Sequence, residues 1–67
     1  MKKKHYELIA SSIRRTDIVN MLDKNKLRRV AKRKALVLVA NDLAGTFYGD
    51  DPKFDRDEFL KACGVIE

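Results

Sequence analysis

The chain has 67 residues, with fifteen Lys/Arg against ten Asp/Glu and a single cysteine. That length allows one domain with a small core, the lone cysteine excludes a disulfide within the chain, and a hydrophobic content of 45% is too high for a disordered polymer. One Cys and one His exclude an ordinary four-ligand zinc site, and the longest apolar run, Ala35–Ala40, falls far short of the roughly 20 residues of a membrane span.

The basic start MKKK is not followed by an apolar stretch of signal-peptide type, because Glu7, Ser11 and Ser12 interrupt it. With the lone cysteine, this points to a reducing cytoplasm. Tyr6, Ile9, Ala10 and Ile13 repeat at helical spacing and predict a first helix over about 4–15. Thr16 and Asp17 are expected to break it and to cap a short second helix over 17–23, carrying Ile18, Val19, Met21 and Leu22.

A long central helix is predicted over about 26–48, with Gly49 as its stop and Pro52 shaping the turn that follows. Its apolar residues change face midway. Leu27, Val30, Ala31, Ala35 and Leu38 share one side, while Leu36, Val39, Ala40, Leu43 and Phe47 point about half a turn away. The segment where they meet, ALVLVA, is apolar all round, so it is either a buried strand or a helix covered by another copy of the chain. The helical flanks favour the second reading. Leu36, Val37, Val39, Ala40, Leu43 and Phe47 are the expected oligomer contacts.

The last helix, over 55–63, has the fullest set of end signals. Asp55 and Glu58 have capping-box spacing, Phe54 and Phe59 flank the cap as a hydrophobic staple, and Gly64 followed by Val65 reads as a Schellman ending. The whole reads as an all-α domain: a small bundle of three main helices, with or without a short fourth, built around a long central helix and assembling as a homodimer or larger oligomer.

Charge is divided along the chain. Residues 1–34 hold twelve Lys/Arg against Glu7, Asp17 and Asp23; residues 35–67 hold three against seven acids. Seven of the eleven residues of KNKLRRVAKRK are basic. On a helix Arg28, Arg29, Lys32, Arg33 and Lys34 form a broad cationic surface, to which Arg14 and Arg15 add. Such a surface suits phosphate or an acidic protein. The run has no interleaved aromatic for base stacking and no preceding helix-turn-helix pattern for groove readout.

The acids Asp50, Asp51, Asp55, Asp57 and Glu58 lack the alternate spacing of a calcium loop, and two of them have capping roles, so no metal is expected there. His5 and Cys63 are not placed as a catalytic pair by any local motif, no phosphate-cradling loop is present, and neither enzymatic activity nor a cofactor is expected. Phe47 and Tyr48, in GTFYG, are read as closing the core against Phe54, Phe59 and Leu60, with anchoring of a partner as the alternative.

The segments KKKHYELIA, NDLAGTFYGDDPKF and FDRDEFLKACG resemble the corresponding parts of short proteins encoded by bacteriophages and prophages, with the closing motif as the specific element. The middle, DIVNMLDKNKLRRVAKRK, has no counterpart in that pattern. The resemblance implies a small accessory protein in a bacterial host cell and transfers no functional residue. The expected function is binding without catalysis, of nucleic acid or another phosphate-rich partner through the basic helix face. The alternative is a module that binds and modulates a host protein, and a third reading is a structural piece of a phage particle.

Overall fold

The computed structural model describes residues 2–65 and contains three helices: α1 (Lys3–Asn20), α2 (Lys26–Asp50) and α3 (Arg56–Cys63). Each packs against the other two, and no strand occurs among the described residues. The molecule is a rod of 39 × 18 × 18 Å. At 1.5 Å per residue α2 is about 37 Å long, so it runs nearly the whole length. Tyr6 meets Phe47 at one end and Asp17 meets Arg33 further along, so α1 lies antiparallel to α2.

The expected break at Thr16 and Asp17 does not occur, and residues 17–23 form no separate helix. The Thr16 hydroxyl donates back to the Ser12 carbonyl at 2.9 Å, so its side chain is satisfied inside the helix. Asp17 falls on the same face as Tyr6, Ala10 and Ile13 and is buried with them. A partner on α2 compensates its charge, so helix α1 continues to Asn20. The turn is Met21–Asn25, and the Asn25 side chain caps α2 by accepting the Arg28 N–H at 3.0 Å.

Gly49 does not stop α2 either. The helix runs through it to Asp50, and the chain becomes extended at Asp51, whose φ is −137°. Pro52 is the cause, because its ring disfavours a helical conformation in the residue before it. Asp51 then orders the turn by accepting the Lys53 N–H at 3.0 Å.

The apolar core is built from Tyr6, Ala10, Ile13, Ala40, Ala44, Phe47, Phe59, Leu60 and Cys63, with Ile9, Leu36, Leu43, Phe54 and Val65 packed around it. Four aromatic rings dominate one end. Tyr6 lies 4.5 Å from Phe54 and 4.9 Å from Phe47, and Phe59 is 5.6 Å edge-on to Phe47. Within a single chain the segment ALVLVA is covered on one side only. Ala40 is fully buried and Leu36 partly so, but Leu38 and Val39 face outward. Of the expected oligomer contacts, Ala40 and Phe47 belong to the chain's own core and Leu36 and Leu43 pack against it. The half-turn shift of the apolar pattern explains this: α1 and α3 cover the second group except Val39, and the first group stays on the surface.

α3 carries its end signals largely as expected. Asp55 accepts the Glu58 N–H at 3.0 Å, and the Phe54 and Phe59 rings close to 5.5 Å. Only half of the capping box forms, because the Glu58 carboxylate pairs with Lys3 at 3.4 Å. Gly64 is left-handed at φ 79°, with Val65 N–H donating to Leu60 O at 3.2 Å and Gly64 N–H to Lys61 O at 3.0 Å. These are the two bonds of the Schellman motif, and the positive φ is what glycine supplies cheaply.

Burial pushes the Cys63 thiol up to about 11, and the residue is wholly enclosed. A thiol is nucleophilic only as thiolate. Native protein at pH 8 is therefore expected to leave an aromatic disulfide reagent unreacted over the minutes in which urea-unfolded protein releases one equivalent. Prompt reaction in the absence of urea would mean that α3 undocks readily.

Candidate phosphate-binding surface

The basic run does not act as one face; the fold divides it into three parts. The first part surrounds Asp23, in the turn between α1 and α2. Arg28 grips the Asp23 carboxylate with two bonds, Nε to Oδ2 at 2.6 Å and Nη2 to Oδ1 at 3.0 Å, and Lys32 Nζ reaches Oδ2 at 3.3 Å. The Asn25 N–H donates to Oδ1 at 2.9 Å. Arg29 adds a bond from Nη1 to the Asp23 carbonyl at 3.1 Å.

The Arg28 hydrogen bonds, then the Asn25 N–H, hold the Asp23 carboxyl well below the usual carboxylate range, with Lys32 contributing. A carboxyl depressed by folding stabilises the fold above its unfolded pKa. That contribution fades as pH falls from the ordinary carboxylate range towards the folded value. The clamp therefore stays charged through neutral pH. One carboxylate cannot neutralise all the cations around it, and the Arg28 and Lys32 side chains remain more than half exposed.

The second part is Arg33, which points inward. Its Nη1 donates to the buried Asp17 carboxylate, and its Nη2 donates to the Gly64 carbonyl at 3.2 Å. One guanidinium thus ties α2 to α1 and to the end of α3. Nearby, Asn20 Nδ2 donates to the Arg29 carbonyl at 3.0 Å. Sequence reasoning placed Arg33 among the surface contacts; the fold uses it as an internal bond. The clue lay in the helical period, since Arg33, Ala40 and Phe47 are seven residues apart and share the core face.

The third part is Lys34, which lines a shallow apolar concavity with Val30, Arg33, Val37 and Leu38. Arg14 is beside Gly64, where a Cβ on the glycine would meet its side chain at 3.4 Å. Arg15 is exposed on α1.

Among the described residues, Lys24, Lys26, Lys34, Arg14 and Arg15 make no ion pair within 4.0 Å. Positive charge therefore concentrates at the hairpin end, where Lys24, Lys26, Arg28, Arg29 and Lys32 surround Asp23. That end also exposes Ile18, Val19, Met21 and Leu22, expected in a short second helix, and Leu27 of α2. α3 ends level with Arg33, so no third helix covers this stretch.

At the opposite end a groove of about 240 Å³ is lined by Tyr6, Phe54 and Phe59, with Lys3, Glu7, Asp51, Lys53 and Glu58 around it. Burial raises the pKa of the Tyr6 hydroxyl, and the carboxylates of Asp51 and Asp50 add to the effect. Tyr48 is partly exposed beneath Arg56, whose guanidinium carbon lies 4.7 Å from the ring centre. His5 is exposed on α1 while Cys63 is buried on α3. Among the described residues, no three of His, Cys, Asp and Glu converge as metal ligands, and no helix is long and apolar enough to cross a membrane. No family model matches the chain, and no curated protein or solved structure matches it.

Proposed function

We propose that this chain is a non-catalytic binding protein that holds a phosphate-rich partner, nucleic acid above all, at the hairpin end of the bundle. It would serve as an accessory protein of the phage type its terminal motifs resemble. The observation that carries the reading is the excess of cations around Asp23. Arg28 and Lys32 share that carboxylate while staying half in solvent, and Lys24 and Lys26 have no ion pair at all among the described residues. Arg28 and Lys32 keep more than half of each side chain in solvent while holding Asp23, so their outward N–H groups can meet phosphate without releasing the carboxylate. Arg33 has no part in the contact, because Asp17 and Gly64 hold it.

Binding of this kind is dominated by counterion release. Four neutralised phosphates give a slope of about −3.6 in log K against log salt, which is a loss of roughly 10²-fold between 50 and 200 mM. The test is anisotropy titration of a labelled DNA duplex. Lys24→Glu/Lys26→Glu is expected to weaken binding at least tenfold and to flatten the salt slope. Lys53→Glu/Lys61→Glu, away from the hairpin end, is expected to change neither. Affinity that ignores both salt and the first pair of reversals would remove the proposal.

A second reading, an acidic protein partner from the host, is favoured by one feature that phosphate binding does not use. Met21, Leu22 and Leu27 are exposed among the same cations, and an apolar patch rimmed by charge suits a protein surface. Capture from bacterial lysate with and without nuclease separates the two: a stoichiometric protein retained after digestion selects the second.

A further inference from the structure

The outward face of α2 is unexplained by the monomer. Counting 100° per residue, Leu27, Ala31, Leu38, Gly45 and Gly49 form one stripe on the side away from Ala40. Leu27 is 83% exposed and Leu38 72%. Gly45 and Gly49 lie inside the helix, where glycine costs about 0.5–1 kcal/mol relative to alanine. A Cβ at either would meet nothing within 4 Å, so the chain's own packing does not require them.

The charge of α2 is equally odd. Residues 26–34 hold six cations and no acid, while residues 35–50 hold Asp42 and Asp50 and no cation. This runs against the helix dipole, which favours acids in the first turn and bases in the last; α2 has neither, whereas α3 has both. Asp17 and Asp23 answer three of the six cations, Arg33, Arg28 and Lys32.

We infer that the chain pairs with a second copy of itself through this stripe, antiparallel, with the two-fold axis beside Leu38. That register sets Leu38 against its own counterpart, Ala31 against the second copy's Gly45, and Leu27 against the second copy's Gly49. Side chains then meet space. It also lays the cationic half of each α2 along the acidic half of the other and opposes the two dipoles. A parallel pair would stack six cations on six. A uniformly acidic foreign helix would answer the basic half but leave Asp42 and Asp50 facing like charge; a second copy answers both halves at once. This interface differs from the one read in the sequence, since it uses Leu27, Ala31 and Leu38 in place of Ala40 and Phe47. It shares the cationic half of α2 with the phosphate reading but is tested by assembly in the absence of nucleic acid, so the two readings fail separately.

Sedimentation velocity at about 100 μM tests the pairing. Wild-type protein is expected to sediment as a dimer. Leu38→Glu, which places two carboxylates together at the axis, is expected to sediment as a monomer with an unchanged helical circular dichroism spectrum. Spin labels on Lys26→Cys test the direction: the antiparallel pair separates them by about 36 Å along the axis, while a parallel pair brings them within about 20 Å. A wild-type monomer, a Leu38→Glu dimer, or the short label distance would each overturn the inference.

Discussion

Arg33→Ala is expected to leave most of the protein unfolded without any denaturant. Asp17 is buried, its carboxylate has one ionic partner among the described residues, and that partner is Arg33. Removing one member of a buried ion pair costs about 3–5 kcal/mol, because the remaining charge has neither water nor a counter-charge. The whole stability of a domain this size is of the same order, about 3–10 kcal/mol at 0.05–0.15 per residue. The same guanidinium also satisfies the Gly64 carbonyl, so α3 loses an anchor. Urea titration followed by circular dichroism reads the result. The double variant Asp17→Leu/Arg33→Met is expected to recover much of the loss, since a well-packed apolar pair avoids desolvating two charges. A single-variant midpoint within the error of wild type would mean that Asp17 reaches solvent when Arg33 is gone.

Phe47→Ala is expected to be nearly as damaging, at about 3–5 kcal/mol. Its ring touches Tyr6, Phe54 and Phe59, which come from α1, the turn and α3. Phe54, from the turn, also meets all three helices, but Phe47 is the ring that α2 contributes to the cluster. Phe47→Leu keeps most of the volume and is expected to cost under about 1.5 kcal/mol. The difference between the two urea midpoints measures the cavity. Equal midpoints would show that the remaining three rings close the gap without strain.

The parts of the fold that were legible in the sequence are those fixed by neighbours in the chain. Asp55, Phe54, Phe59 and Gly64 act within one or two turns of each other, so α3 and both its ends could be read directly. The three-helix class and the closure of Phe47 on Phe54 and Phe59 followed from the same local logic. What was not legible depends on residues far apart. Asp17 looked like a helix break because carboxylates favour caps, and only the meeting with Arg33 makes it an interior residue. Gly49 looked like a stop, although the neighbouring Asp51–Pro52 bond takes that role.

The basic surface shows the same division. Its existence was plain from composition, but how its charges are used was not. Asp23 was counted only among the few acids of the first half, whereas it gathers Arg28, Arg29 and Lys32 about the turn. Arg33 leaves the surface altogether. A pairing of acids with bases by core face, Asp17 on α1 with Arg33 on α2, was available from helical counting and would have found the internal bond.

The interior is not uniform along the rod. One end is closed by a cluster of tilted and edge-on rings that water expels, and the other by formal charges attracting one another across the hairpin. Cooling weakens the first kind of cohesion and dissolved salt weakens the second, least where Asp17 is enclosed. A cold solution and a concentrated one therefore loosen opposite extremities of the same small molecule, and neither condition alone reports its strength as a whole.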